Sequence, residues 1–307
     1  MRIVSLAVAL LALTCLSRAP AASAAITYTT IDHPLAGLGG TTPYAIDGTR
    51  VVGSYLDPTG GMHGFVYDGG NWTTLDHPDA ARGTTAYGIS GNLICGTYVT
   101  PSAQTLGFLY DGTNWLTLQH PPIALPNGNT FARGVSDGTV VGYYIEGPVA
   151  TGFRYAGGSF TDFAAPGSVG TFATDIDGGR IVGYYDTPAA THGFLFDTTW
   201  VTVDHPLGEP LGTFVNGISG QNVVGNYVSV LDGSHGFLFD GTRFTAIDYP
   251  GGRETSANGI DGQRVVGSYV NATGTHGFIA IIPEPACLLF LPCLFAALVR
   301  PTRVARV

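Results

Sequence analysis

Residues 63–78 read HGFVYDGGNWTTLDHP. Two short apolar runs, His63–Tyr67 and Trp72–Leu75, flank Asp68-Gly69-Gly70. Gly and Asp accept the positive φ that tight hairpin turns need, so the stretch reads as an antiparallel hairpin. A two-residue turn at Gly69-Gly70 sets the register: Tyr67 opposite Trp72, Phe65 opposite Thr74, and His63 opposite Asp76. Facing aromatics stabilise such a hairpin by a few tenths to about 1 kcal/mol, which assigns these rings to the core rather than to a ligand box.

Outward from this hairpin, one unit is written six times. Gly-x-Tyr recurs at Gly53-Ser54-Tyr55, Gly96-Thr97-Tyr98, Gly142-Tyr143-Tyr144, Gly183-Tyr184-Tyr185, Gly225-Asn226-Tyr227 and Gly267-Ser268-Tyr269. The first unit holds four short runs, Tyr44–Ile46, Arg50–Tyr55, His63–Tyr67 and Trp72–Leu75, with Asp47-Gly48 turning the first pair. Four antiparallel strands per ~42 residues is the dimension of a propeller blade, and six is a permitted closure number. The expected fold is therefore all-β, a six-bladed β-propeller. A β-solenoid is the alternative, although solenoid coils are usually shorter or carry helices.

Histidine and aspartate specify how the ring closes. The position of His63 is filled by His63, Leu106, Thr151, His192, His235 and His276, and that of Asp76 by Asp76, Gln119, Ala164, Asp204, Asp248 and Asp32. Units that keep one partner keep the other, and units that lose one lose both, which is the signature of contact. His63–Asp76, His192–Asp204, His235–Asp248 and His276–Asp32 thus read as latches on the outer hairpins. The last pair requires the strand ITYTTID, Ile26–Asp32, to close the final blade, with Tyr28 in the place of Trp72.

The ends are addresses rather than fold. Arg2, the apolar run Ile3–Leu16 and the small residues Ala21–Ala25 form a secretory signal over residues 1–25. Cys15 as a lipoprotein cysteine is disfavoured by the bulky Thr14 before it. The C-terminus carries Pro283-Glu284-Pro285, an apolar run Ala286–Val299 and then Arg300, Arg303 and Arg306. This order resembles the PEP-CTERM sorting signal of Gram-negative envelope proteins, over residues 283–307. The run is shorter than the ~20 residues of a comfortable membrane span, so an ordinary anchor is the lesser reading. The resemblance implies an exosortase-type processing enzyme as partner, only transient membrane contact, and a body, residues 26–282, left at the cell surface or in the extracellular matrix. With Cys15, Cys287 and Cys293 in the end segments, Cys95 is alone in the body, so no disulfide framework forms there.

Composition narrows the partners. The chain has 45 Gly, 19 Pro and no Lys, and its formal net charge is −9. Without a basic patch, nucleic acid is not an expected partner. GVSDG, Gly134–Gly138, matches a hydrolase elbow, but its siblings AIDGT and GISGN are hairpin turns with no helix to follow. Asp175–Gly178 reads as a turn without the remaining calcium ligands. All eight histidines fall at two repeated positions, leaving none as a singular base. No metal and no cofactor are expected.

The body, with GIDGQRVVGSYVNATGTHGFIA as its clearest unit, resembles the HAF family of extracellular repeat proteins, whose units read His-Ala-Phe where this chain reads His-Gly-Phe. That resemblance implies a surface propeller and no particular reaction. Two readings remain: a non-catalytic protein that binds extracellular polysaccharide or another surface protein, or a secreted glycosidase or lyase. An enzyme needs unlike residues that break the sixfold pattern and converge, and the sequence displays no such set. Binding is expected on the face bearing the variable loops, at Asp57, Asp79, Arg82, Glu146, Glu209, Asp232 and Arg253, unless those loops vary only because nothing constrains them.

Overall fold

The computed structural model describes residues 25–121, 128–208 and 210–283. Within them stand six four-stranded antiparallel sheets arranged as a six-bladed β-propeller. Blade 1 runs outward from Thr41–Asp47 through Arg50–Leu56 and Met62–Asp68 to Asn71–Leu75. Blades 2 to 5 repeat that order over residues 84–118, 129–163, 170–202 and 213–246. Blade 6 takes its three inner strands from Glu254–Ile281 and its outermost from Thr27–Ile31. The ring therefore closes through the N-terminal strand.

The opening hairpin has the register its turn demands: Tyr67 pairs with Trp72 and Phe65 with Thr74. Tyr110 and Trp115, Tyr155 and Phe160, and Phe239 and Phe244 pair in the same way. In blade 6, Tyr28 lies opposite Ala280 and edge-on to Phe278 at 5.8 Å. One phenylalanine per blade, Phe65, Phe108, Phe153, Phe194, Phe237 and Phe278, is fully buried. Its ring covers the glycine of Gly-x-Tyr. A Cβ on Gly53 would stand 2.7 Å from Phe65 and 2.2 Å from the Thr42 carbonyl oxygen, so no side chain fits there.

The core lies between the blades rather than inside any one of them. Each apolar cluster draws on two neighbours: Val52 and Leu75 of blade 1 pack with Ile89, Ile94 and Phe108 of blade 2. At the closing junction Ile31 and Val266 of blade 6 meet Ile46, Val51 and Phe65 of blade 1. A flat sheet with two apolar faces must be covered on both, and a ring covers every face.

A second device ties each blade to the next. The residue after the latch aspartate donates its backbone N–H to the threonine that opens the next inner strand, as His33 does to Thr41 and His77 to Thr84. Its ring then stacks on the next Gly-x-Tyr tyrosine: His33 on Tyr55, His77 on Tyr98, His120 on Tyr144, His205 on Tyr227 and Tyr249 on Tyr269, all at 3.7–3.9 Å. Ala165 holds this place before blade 4 and keeps only the backbone bond, to Thr171. Burial lowers the pKa of His33, His77 and His205, so these joint histidines work as neutral rings.

Candidate functional site

The latch residues are brought together in pairs. Histidine Nδ1 meets an aspartate oxygen at 2.8 Å in His63–Asp76, His192–Asp204 and His276–Asp32, and at 3.2 Å in His235–Asp248. Blade 3, which has Thr151 and Ala164 at these positions, carries a relocated pair instead: Asp162 lies 2.7 Å from His120 Nε2. Replacing His192 with Leu is expected to destabilise the protein by about 1–2 kcal/mol, because Asp204 loses its hydrogen-bond partner. The double variant His192→Leu/Asp204→Ala should recover part of that loss. Additive losses in urea unfolding across the cycle would show that the two side chains do not interact.

Two of the loop acids assigned to binding serve these latches. Asp57 Oδ1 accepts hydrogen bonds from Thr59 Oγ1 and Gly61 N, while its Oδ2 stands 3.5 Å from His63 Nε2. The Thr59 hydroxyl and Gly61 amide hold its pKa at about 2. Asp232 stands 3.1 Å from His235 Nε2, and bonds from Ser229 and His235 lower its pKa. Burial works against the charge of His63 and His235, but their flanking carboxylates outweigh it and raise both. Asp79, Arg82, Glu146 and Arg253 are exposed at separate points of the rim. Glu209, Glu284 and Pro285 lie outside the described residues, and Pro283 is their last residue. Among the described residues no ion pair joins any of these loop candidates to another.

The convergent set is on the axis. Every inner strand carries a β-bulge at one place, between Pro43 and Ala45, Ala86 and Gly88, Ala132 and Gly134, Ala173 and Asp175, Val215 and Gly217, and Ala257 and Gly259. A bulge aims its extra residue away from the ladder. The six extra residues, Tyr44, Tyr87, Arg133, Thr174, Asn216 and Asn258, line one axial cavity of about 60 Å³. Three of them are spent on structure. Thr174, Asn216 and Asn258 donate to the carbonyl oxygens of Val215, Ala257 and Pro43 in the following blade.

The other three pack on one another. Tyr44 and Tyr87 lie 4.6 Å apart, and the Arg133 guanidinium sits 3.8 Å over the Tyr87 ring. Burial opposes the Arg133 charge, yet Tyr87, Tyr143, Tyr44 and Tyr184 around it raise its pKa, so it is a full cation. On the loop-face side of this cavity an arc of half-buried rings crosses three blades. Phe131, Tyr143, Phe172, Tyr184 and Phe214 follow one another at 4.6–5.0 Å, alternately stacked and edge-on.

No family model matches the sequence, and no curated protein matches it. Among solved structures, the chain is similar to a six-bladed fucose-binding lectin of Aleuria aurantia, at 17% identity over 80% of this chain and 96% of that one, TM-score 0.48. It is likewise similar to AofleA of Arthrobotrys oligospora, at 16% identity over 82% of each chain, TM-score 0.48. The likeness is one of fold.

On the tight-turn side the axis opens into a cavity of about 140 Å³ whose walls include Asp47, Asp175, Asp177 and Asp261. These carboxylates are occupied: Gly91, Gly220 and Gly48 donate their amides to Asp47, Asp177 and Asp261 across the blade joints. Asp175 lies inside the inner strand Gly170–Asp177, not on the turn that its DIDG run suggests, and accepts from Ile176 N and Ile218 N. Enclosure by protein pushes its pKa up to about 7. The sequence did contain a signal for the axis. The column Tyr44, Tyr87, Arg133, Thr174, Asn216 and Asn258 changes chemistry between a fixed threonine three residues earlier and a fixed Ile or Val two residues later.

Proposed function

We propose that this protein is a non-catalytic, carbohydrate-binding propeller displayed on the surface or in the matrix of a Gram-negative cell, with extracellular polysaccharide as its ligand. The aromatic arc from Phe131 to Phe214 carries this reading. A half-buried ring offers a flat apolar face to the C–H face of a sugar and leaves the sugar hydroxyls to polar partners. Such partners stand at the matching positions elsewhere in the ring, where Thr42, Ser54, Thr97, Asn226 and Ser256 replace the aromatics. Catalysis of glycoside cleavage needs two carboxyl groups free to exchange protons or attack. The axial carboxylates are instead held by backbone amides.

The surface location rests on the N-terminal export signal and on the order Pro283-Glu284-Pro285, apolar run, arginines, which supports processing by an exosortase-type enzyme. Protein recovered from the host surface is expected to end near Pro285 by intact mass. It should also be retained on immobilised exopolysaccharide without releasing reducing ends. Surface protein that retains Arg306 and Val307 would overturn the sorting, and released sugar would overturn the non-catalytic role.

A further inference from the structure

We propose that Arg133 captures a carboxylate, so that the ligand is an acidic glycan whose uronate group enters the axial cavity from the loop face. This specifies the sugar class and the place of binding, and it rests on the glycan-binding reading above.

The guanidinium is the observation that demands a partner. Its flat face is covered by Tyr87 at 3.8 Å, but stacking uses none of its five N–H donors. Among the described residues no hydrogen bond or ion pair reaches it, and the groups that influence its charge are tyrosines. Arg133 is half-buried against the axial cavity, and a charge partly withdrawn from water gains from an anionic partner. This chain has 22 acidic residues against 13 basic ones, so a carboxylate was available to evolution and none is placed there. An anion that arrives with the ligand therefore meets donors that no protein acceptor occupies.

Shape selects the anion and its attachment. The cavity of about 60 Å³ admits a few water-sized groups and not a sugar ring. Tyr44 and Tyr87 are tilted by 57° and the guanidinium carbon lies 3.8 Å over the Tyr87 ring, so the two-pronged N–H edge of Arg133 is left to a carboxylate, which matches it in shape. The sugar that bears it stays outside, where Tyr143 and Tyr184 belong both to the aromatic arc and to the surroundings of Arg133. One axis and one arginine give one site per chain, unlike the blade joints, which recur around the ring.

Titration calorimetry of the processed protein tests this with three probes: a galacturonate trimer, its methyl ester and a neutral galactose trimer. One acid trimer is expected to bind per chain, at least tenfold more tightly than the ester. Arg133→Gln should abolish that preference without lowering the melting temperature, since blades 4 to 6 hold Thr and Asn at the same bulge. Arg133→Lys should restore only part of it, because an ammonium lacks the planar fork. Phe172→Ala should weaken acid and ester alike. Equal binding of acid and ester by the wild type, a preference that survives Arg133→Gln, or five or six sites per chain would overturn the carboxylate assignment while leaving glycan binding standing. Silence of all three sugars would overturn both. Should Arg133→Gln fail to fold, the wild-type comparison of acid with ester decides alone.

Discussion

Deleting residues 26–33 is expected to open the ring and lower the melting temperature by roughly 10–20 °C, with aggregation on warming. The segment supplies the outer strand of blade 6, pairing from Thr27 with Ile281 to Ile31 with Gly277. It also supplies Ile31 to the junction of blades 6 and 1, the Asp32 partner of His276, and the His33 ring stacked on Tyr55. Burying one isoleucine contributes about 1.5–3 kcal/mol, and each lost hydrogen bond about 1. A total loss of about 5 kcal/mol or more, at 2–4 °C for each kcal/mol in a body of this size, gives the stated range. The exposed edge of Gly274–Ile281 would then offer an unpaired strand to other chains. Unchanged thermal unfolding after the deletion would show that this strand does not close the ring.

The second large effect is a dependence on pH built into the axis. Asp175 stands where the other blades have Ala45, Gly88, Gly134, Gly217 and Gly259, and enclosure raises its pKa from the ordinary carboxylate value to about 7. A carboxyl whose folded pKa is raised favours the folded state below its unfolded pKa, near 4, and loses that contribution as pH rises toward the folded value. Between pH 4 and pH 8 the wild type is therefore expected to lose on the order of 3 kcal/mol relative to Asp175→Asn, which cannot ionise. Guanidinium unfolding of both proteins across this range measures the difference. Parallel curves would show that Asp175 ionises as freely in the fold as in water.

The hairpins were legible because turn chemistry and a period of two leave no freedom: Asp68-Gly69-Gly70 dictates that Tyr67 faces Trp72. The latches were legible because both partners change together along the repeats, which even placed Asp32 beside His276 across 244 residues. The axial set was not visible for a physical reason. From Pro43 to Ala45 the inner strand advances two residues while its partner moves one, from Gly53 to Val52, so strict alternation fails at Tyr44. The same slip hides Tyr87 and Arg133, and a column holding Tyr, Arg, Thr and Asn shows itself only by changing chemistry between a fixed threonine and a fixed Ile or Val. The contacts of two loop acids were hidden for a different reason. Asp57 and Asp232 fold back onto the latch histidines His63 and His235 from loops of different sequence, and nothing in the repeat period reports that return. The proposed site thus lies where the sixfold pattern breaks, on the axis.

The most direct test of that claim is a crystal structure of the processed protein with the galacturonate trimer. The account predicts a single sugar at the loop-face mouth of the axis, its ring against Phe172 and Tyr184 and its carboxylate on the Arg133 guanidinium. Sugar bound at the blade joints, with nothing at Arg133, would contradict it.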